Sequence, residues 1–183
     1  MKELDLQRVT DEVERMCIEG NYFIGKEVLD KIKEAYAKEE SEVGKNILGQ
    51  IIENDEIAAN EQVPMCQDTG IVVVFLEVGT EVRIPGDIYA AINEGVRRGY
   101  EKGYLRKSVV KDPLFERTNT KDNTPAIIYY DIVEGDTFHI TLAPKGFGSE
   151  NMSQIKMLKP SDGLQGIKDF VMKVVNDAGP NAC

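Results

Sequence analysis

The unbroken apolar run "IVVVF", Ile71 to Phe75, constrains the fold more than any other stretch of the chain. It is long enough for a buried strand and too short for a helix standing alone. The residues just before it, "PMCQDTG", are a proline, a thiol, an amide, a carboxylate, a hydroxyl and a glycine. A polar cluster therefore sits where a loop enters a sheet, a usual place for a site.

Helical periodicity fills the chain before this strand. Val9, Val13, Met16 and Cys17 recur at helical spacing, as do Ile24, Val28, Leu29, Ile32 and Tyr36, with a break near Gly20. Ser41 opens a third helix toward Ala59, with Val43, Ile47, Leu48, Ile51 and Ile52 on its inner face. After the strand, Pro85 and Gly86 make a turn and Asp87 caps another helix. The two β-rich runs in "TPAIIYYDIVEGDTFHITLAP", joined at Glu134, Gly135 and Asp136, predict a hairpin. A last helix starts at Ser161 or Asp162, carries Leu164, Ile167, Phe170, Val171 and Val174, and stops at Gly179. The expected class is α+β, an N-terminal helical layer followed by an antiparallel sheet with packed helices, in a single domain over residues 1–183.

Composition narrows the function classes. With 183 residues and 42% apolar content the chain can bury a sizeable core. No stretch approaches the roughly 20 apolar residues of a membrane span, and the charged N-terminus is not a secretory signal, so a cytoplasmic address is expected. A net charge of −10 disfavours nucleic acid and anionic membranes as partners. The cysteines at 17, 66 and 183 are odd in number and far apart, which argues against a disulfide framework.

Cys66 and Cys183 each follow a proline in a short loop, a setting that suits thiolate ligands of one shared group. The pattern fits two unrelated buried cysteines equally well. Cys17 lies on the apolar face of the first helix and reads as core. Taken alone, Asp68 reads as a turn cap and Arg106, beside Lys107, as a surface arginine. The loop "KGFGSEN" lacks the order of a phosphate-binding nucleotide loop. His139 alternates with Phe138, Ile140 and Leu142 and faces away from them.

Four motifs, "PMCQDTG", "GYLRKSVV", "KGFGSENMS" and "GPNAC", together resemble the α subunit of the class I, iron–sulfur-dependent fumarate hydratases and tartrate dehydratases, over essentially the whole chain. The resemblance implies a [4Fe–4S] cluster held by three cysteines, two of which correspond to Cys66 and Cys183. The third lies further along in that family, so the chain reads as a fragment. Phe147 stands where the family loop is more often glycine. The resemblance implies catalytic roles for Asp68 and Thr69, and substrate contacts from Gln67, Arg106, Lys145, Gly146, Gly148 and Ser149. It also implies a C4 dicarboxylate substrate, fumarate and L-malate before tartrate, a β-subunit partner, and an oligomer. Two other readings stay open at this point: an interaction module that assembles with a β subunit without a cluster, and a zinc or mononuclear iron protein using Cys66, Cys183 and a carboxylate.

Overall fold

Asp5 fixes the start of the first helix, its Oδ1 accepting from the backbone N–H groups of Gln7 (2.9 Å) and Arg8 (3.2 Å). That helix, α1 (Leu6–Tyr22), is followed by α2 (Lys26–Lys38) and α3 (Glu42–Glu61). Ser41 caps α3 as its sequence predicts, accepting from Gly44 N–H at 3.3 Å. A computed structural model describes residues 2–179, Ser149 by its backbone alone. The chain divides into two units, residues 1–145 and 146–183.

In the first unit a short strand β1 (Lys2–Glu3) precedes α1 and pairs in parallel with β3 (Val82–Arg83). The main sheet has three strands, β2 (Ile71–Gly79), β4 (Ile127–Val133) and β5 (Phe138–Lys145), in the order β4-β2-β5. Helix α4 (Ile88–Lys102) begins at Asp87, whose Oδ1 accepts from Ala90 N–H at 3.0 Å. The core joins Val9, Val13 and Cys17 of α1, Ile92, Val96 and Tyr100 of α4, and Val72, Val74, Leu76 and Val78 of β2. Alternate residues of β2 face the two helices, the period-2 pattern of a half-covered sheet.

Helices α1 and α4 run in the same direction at close approach. Thr10 Oγ1 donates to Ala91 O at 3.0 Å, and a Cβ on Gly95 would lie 2.6 Å from Thr10 O and 2.7 Å from the Val13 Cβ. A Cβ on Gly99 would meet the Cys17 Cβ at 2.7 Å. The glycines let the backbones meet, and the pairs Arg98–Asp11 (3.4 Å) and Lys102–Glu14 (2.5 Å) flank the contact.

The α+β class is as expected, but the sheet is mixed rather than antiparallel. β2 pairs in parallel with β4 and antiparallel with β5, so the two runs expected to form a hairpin lie on opposite sides of β2. Their connection crosses the end of that strand. Gly79 N–H donates to Thr137 O (2.7 Å), Thr80 N–H to Val133 O (2.9 Å) and Glu81 N–H to Gly135 O (2.8 Å). A Cβ on Gly79 would lie 2.2 Å from Gly135 O, so only glycine admits the crossing chain there.

A second correction concerns α3. Val43, Ile47 and Ile51, expected on its inner face, are exposed at 70%, 53% and 40%. The helix contacts α2 and α1, and its covered residues form a narrower stripe, with Leu48 and Ile52 half-buried and Asp55 and Ala58 buried. Burial pushes the Asp55 carboxyl up, opposed by a hydrogen bond from Asn54.

The second unit contains a 3-10 turn over Ser149–Met152, another over Pro160–Asp162, and α5 (Gly163–Ala178). Lys159 N–H donates to Asp162 Oδ2 at 2.8 Å, so the predicted start of α5 is preceded by this short turn. Among the described residues no helix is long and apolar enough to cross a membrane.

Candidate functional site

The loop from Met65 to Gly70 is held on both sides and leaves its middle outward. Met65 N–H donates to Asn21 O at 2.9 Å, at the end of α1. Met65 O accepts from Asn54 Nδ2 of α3 at 2.8 Å. On the far side Thr69 O accepts from the Tyr100 hydroxyl at 2.7 Å, and Gly70, at φ 61, enters β2. Tyr100 is 1% exposed, and burial, with Cys17 nearby, holds its phenol protonated by raising it well above the usual range.

Cys66 and Gln67 between these anchors are exposed, and Asp68 is half-buried. The Cys66 thiol donates to Gln67 Oε1 at 3.7 Å and its Sγ accepts the Asp68 N–H at 3.4 Å. Thr69 is 2% exposed and its Oγ1 donates to Arg106 O at 3.0 Å. That bond brings two motifs 37 residues apart into contact. The Arg106 side chain is exposed, and its guanidinium makes no ion pair or hydrogen bond among the described residues. Lys107 instead pairs with Glu101.

Lys145 comes to the same end of the sheet, because it ends β5 opposite Ile71. Gly146, Gly148 and Ser149 follow it in the second unit, where Gly148 precedes the Ser149–Met152 turn and its carbonyl accepts from Asn151 N–H at 3.4 Å. Cys183 lies outside the described residues. Cys17 is wholly buried, in keeping with its reading as core. His139 is exposed, on the face of β5 away from the helices and across from Glu77.

Sequence reasoning missed two residues that build this site. Tyr100 carries a helical signal that shows only burial. Asn123 is 0% exposed, and its amide bridges Gly70 O and the backbone N–H groups of Ser108 and Val109. Its neighbours "DNTPA" read as a turn, and Asn123 indeed sits at φ 62.

The loop at this end of the sheet carries a thiol, a carboxamide and a carboxylate, and the backbone of the exposed Arg106 is bonded to it through Thr69. A soft thiol with an N–H directed at its sulfur fits a metal ligand. Among the described residues no group of three or more His, Cys, Asp and Glu is gathered to hold a metal ion, so this set offers one thiol and not a complete centre. Surface depressions of about 450 and 400 Å³ lie elsewhere, one between α2 and α3 and one beside β1, α1 and β5.

Comparison with known proteins bears on the same segments. The sequence is 42% identical over 181 residues to the putative L(+)-tartrate dehydratase subunit alpha of Methanocaldococcus jannaschii, an alignment covering 96% of this chain and 64% of that protein. It is 30% identical over 161 residues to the L(+)-tartrate dehydratase subunit alpha of Escherichia coli strain K12, covering 86% of this chain and 52% of that protein. The chain thus spans between about half and two-thirds of the length of these relatives. The pattern described as Fumarate hydratase (Fumerase) matches residues 10–183, the site loop included, and the chain belongs to that family.

Proposed function

We propose that this chain is part of the α subunit of a hydro-lyase that reversibly adds water to, or removes it from, a C4 dicarboxylate, fumarate and L-malate in the first place and tartrate next. The observation that carries this reading is the Thr69–Arg106 bond, which ties the end of the Cys66–Asp68 loop to the backbone of Arg106, an exposed arginine. Family membership and the relatives' names support the reaction class.

Cys66 would hold an iron of a [4Fe–4S] cluster together with Cys183 and a third thiolate from outside these residues. When bound, such a cluster supplies a Lewis acid for a substrate hydroxyl and carboxylate. The rest of the chemistry falls to side chains. Asp68 sits two residues from the thiolate, within reach to take or return a proton at the reacting centre. Gln67 donates its amide N–H to a carboxylate without adding charge. Arg106 clamps a carboxylate through its two-pronged guanidinium, and Lys145 adds a second cation at the same sheet end. Gly146 and Gly148 allow the following loop's backbone close to a bound anion, with Ser149 as a further donor. Thr69, buried and bonded to Arg106 O, serves the reaction by position rather than by direct proton transfer.

A β subunit completes the enzyme in this reading, within a larger oligomer. A reducing cytoplasm suits the free thiols of Cys17 and Cys66. The test is the complete α subunit co-expressed with β under anaerobic conditions, assayed for iron, inorganic sulfide, visible absorption, and turnover of fumarate and tartrate. Bound iron and sulfide with turnover of either acid is the expected result. Zinc or a single iron without sulfide would replace the cluster with a mononuclear centre. Assembly with β but no metal would make the chain an interaction module.

A further inference from the structure

Asn123 is the one fully buried amide side chain among the described residues, and the hydrogen bonds of its amide all go to backbone flanking the candidate site. Its Oδ1 accepts from Ser108 N–H at 2.7 Å and Val109 N–H at 3.2 Å, just past Arg106. Its Nδ2 donates to Gly70 O at 3.1 Å, just past Asp68 and Thr69. These contacts span 15, 14 and 53 residues of sequence, and the Val110–Asn119 bridge closes the loop between Ser108 and Asn123. The residue's own conformation is set for the task. At φ 62 it is left-handed, a region where asparagine is among the few non-glycine residues at ease. Flanking bonds hold it there: Asp122 Oδ1 accepts from Thr124 N–H (3.0 Å), and Asn119 Nδ2 donates to Lys107 O (2.8 Å).

We propose that Asn123 is a positioning residue which sets the separation between the Cys66–Gly70 loop and the Arg106 segment, and through it the span over which the site grips a substrate carrying two carboxylates. An amide suits this place because it presents an acceptor and a donor from one rigid, neutral plane. A carboxylate in the same plane keeps the acceptor for Ser108 and Val109 but turns a lone pair toward Gly70 O. A glycine keeps the left-handed backbone and removes the clasp. The Thr69–Arg106 bond remains in both variants as a second link, so the segments are expected to shift rather than separate.

The part of this proposal that concerns substrate rests on the hydro-lyase reading, and the test has one arm that does not. Hydrogen exchange followed by mass spectrometry on the 183-residue chain compares wild type with Asn123→Gly and Asn123→Asp. In Asn123→Gly the amides of Ser108 and Val109 should exchange about 10-fold faster or more, the scale of one lost buried hydrogen bond, while peptides of α1 and α4 keep their protection. Asn123→Asp should keep Ser108 and Val109 slow and loosen the 66–71 side alone. Unchanged exchange at both segments would overturn the proposal. Uniform acceleration across the chain in both variants would also overturn it, by making Asn123 a general stability residue. In the complete enzyme with its β partner, Asn123→Gly should raise KM about 10-fold or more and change kcat by less than about threefold. A loss confined to kcat would overturn the positioning role. A wild-type enzyme that turns over no dicarboxylate would remove the hydro-lyase reading, and the exchange result would still decide whether Asn123 sets the spacing.

Discussion

Cys17 lies wholly buried against Gly99, and burial, with Glu14 nearby, pushes its thiol up to about 12. A thiol whose folded pKa is raised favours the folded state fully below its ordinary value of 9.0, and this contribution is lost as pH rises toward 12. Wild type should therefore lose stability between these pH values more steeply than Cys17→Ala, read from urea midpoints at a series of alkaline pH values. In native protein at neutral pH, iodoacetamide should alkylate Cys66 and spare Cys17, as peptide mapping would show; rapid modification of Cys17 would contradict its place in the core. Arg106 poses the opposite case, an exposed cation without a partner among the described residues. In the complete enzyme Arg106→Lys should lower kcat/KM by about 10²-fold or more, since an ammonium cannot replace a two-pronged guanidinium. Near-normal kinetics would return it to an ordinary surface role. At this scale "CQDTG" was legible, because it clusters four chemistries within five residues. Asn123 was not, because its partners lie up to 53 residues away and its own signal is that of a turn.

Elements were legible where their signals are local. Asp87 and Ser41 cap the helices expected of them, and the run at Ile71 became the central strand. Pairing between elements was less so. Two β-rich runs four residues apart predict a hairpin, yet a four-residue link also suffices to cross the end of one inserted strand. Gly79 is the feature that selects the crossing, and a glycine ending a strand does not announce what will pass over it. The helix periodicities showed which residues are apolar without showing what covers them, hence the exposed Val43, Ile47 and Ile51 of α3. The parallel contact of α1 with α4 yields a sharper expectation. Gly95→Ala places a Cβ 2.6 Å from Thr10 O and must push the helices apart, so it should destabilise the chain by about 1–3 kcal/mol in urea unfolding. Ala91→Gly, four residues earlier on α4, should cost only about 1 kcal/mol through helix propensity. Equal small effects from both would show that the close approach is not as drawn.

For the molecule as a whole, the sheet gathers residues from distant parts of the sequence at one end. Ile71 opens β2 there, Lys145 closes β5 opposite it, and the Arg106 segment is tied to the same place through Thr69 and Asn123. Arg106 and Lys145 are exposed on these segments of a molecule whose net charge is −10, which suits a small anionic substrate. The central claim is that the thiol of the loop holds iron while its neighbour moves protons, and two substitutions in the complete enzyme separate these roles. Visible absorption and turnover, measured anaerobically on Cys66→Ser and Asp68→Asn, test it most directly. Cys66→Ser should lose the cluster absorption, whereas Asp68→Asn should keep it while turnover falls about 10²-fold or more. Full absorption and turnover in Cys66→Ser, or undiminished turnover in Asp68→Asn, would contradict the account.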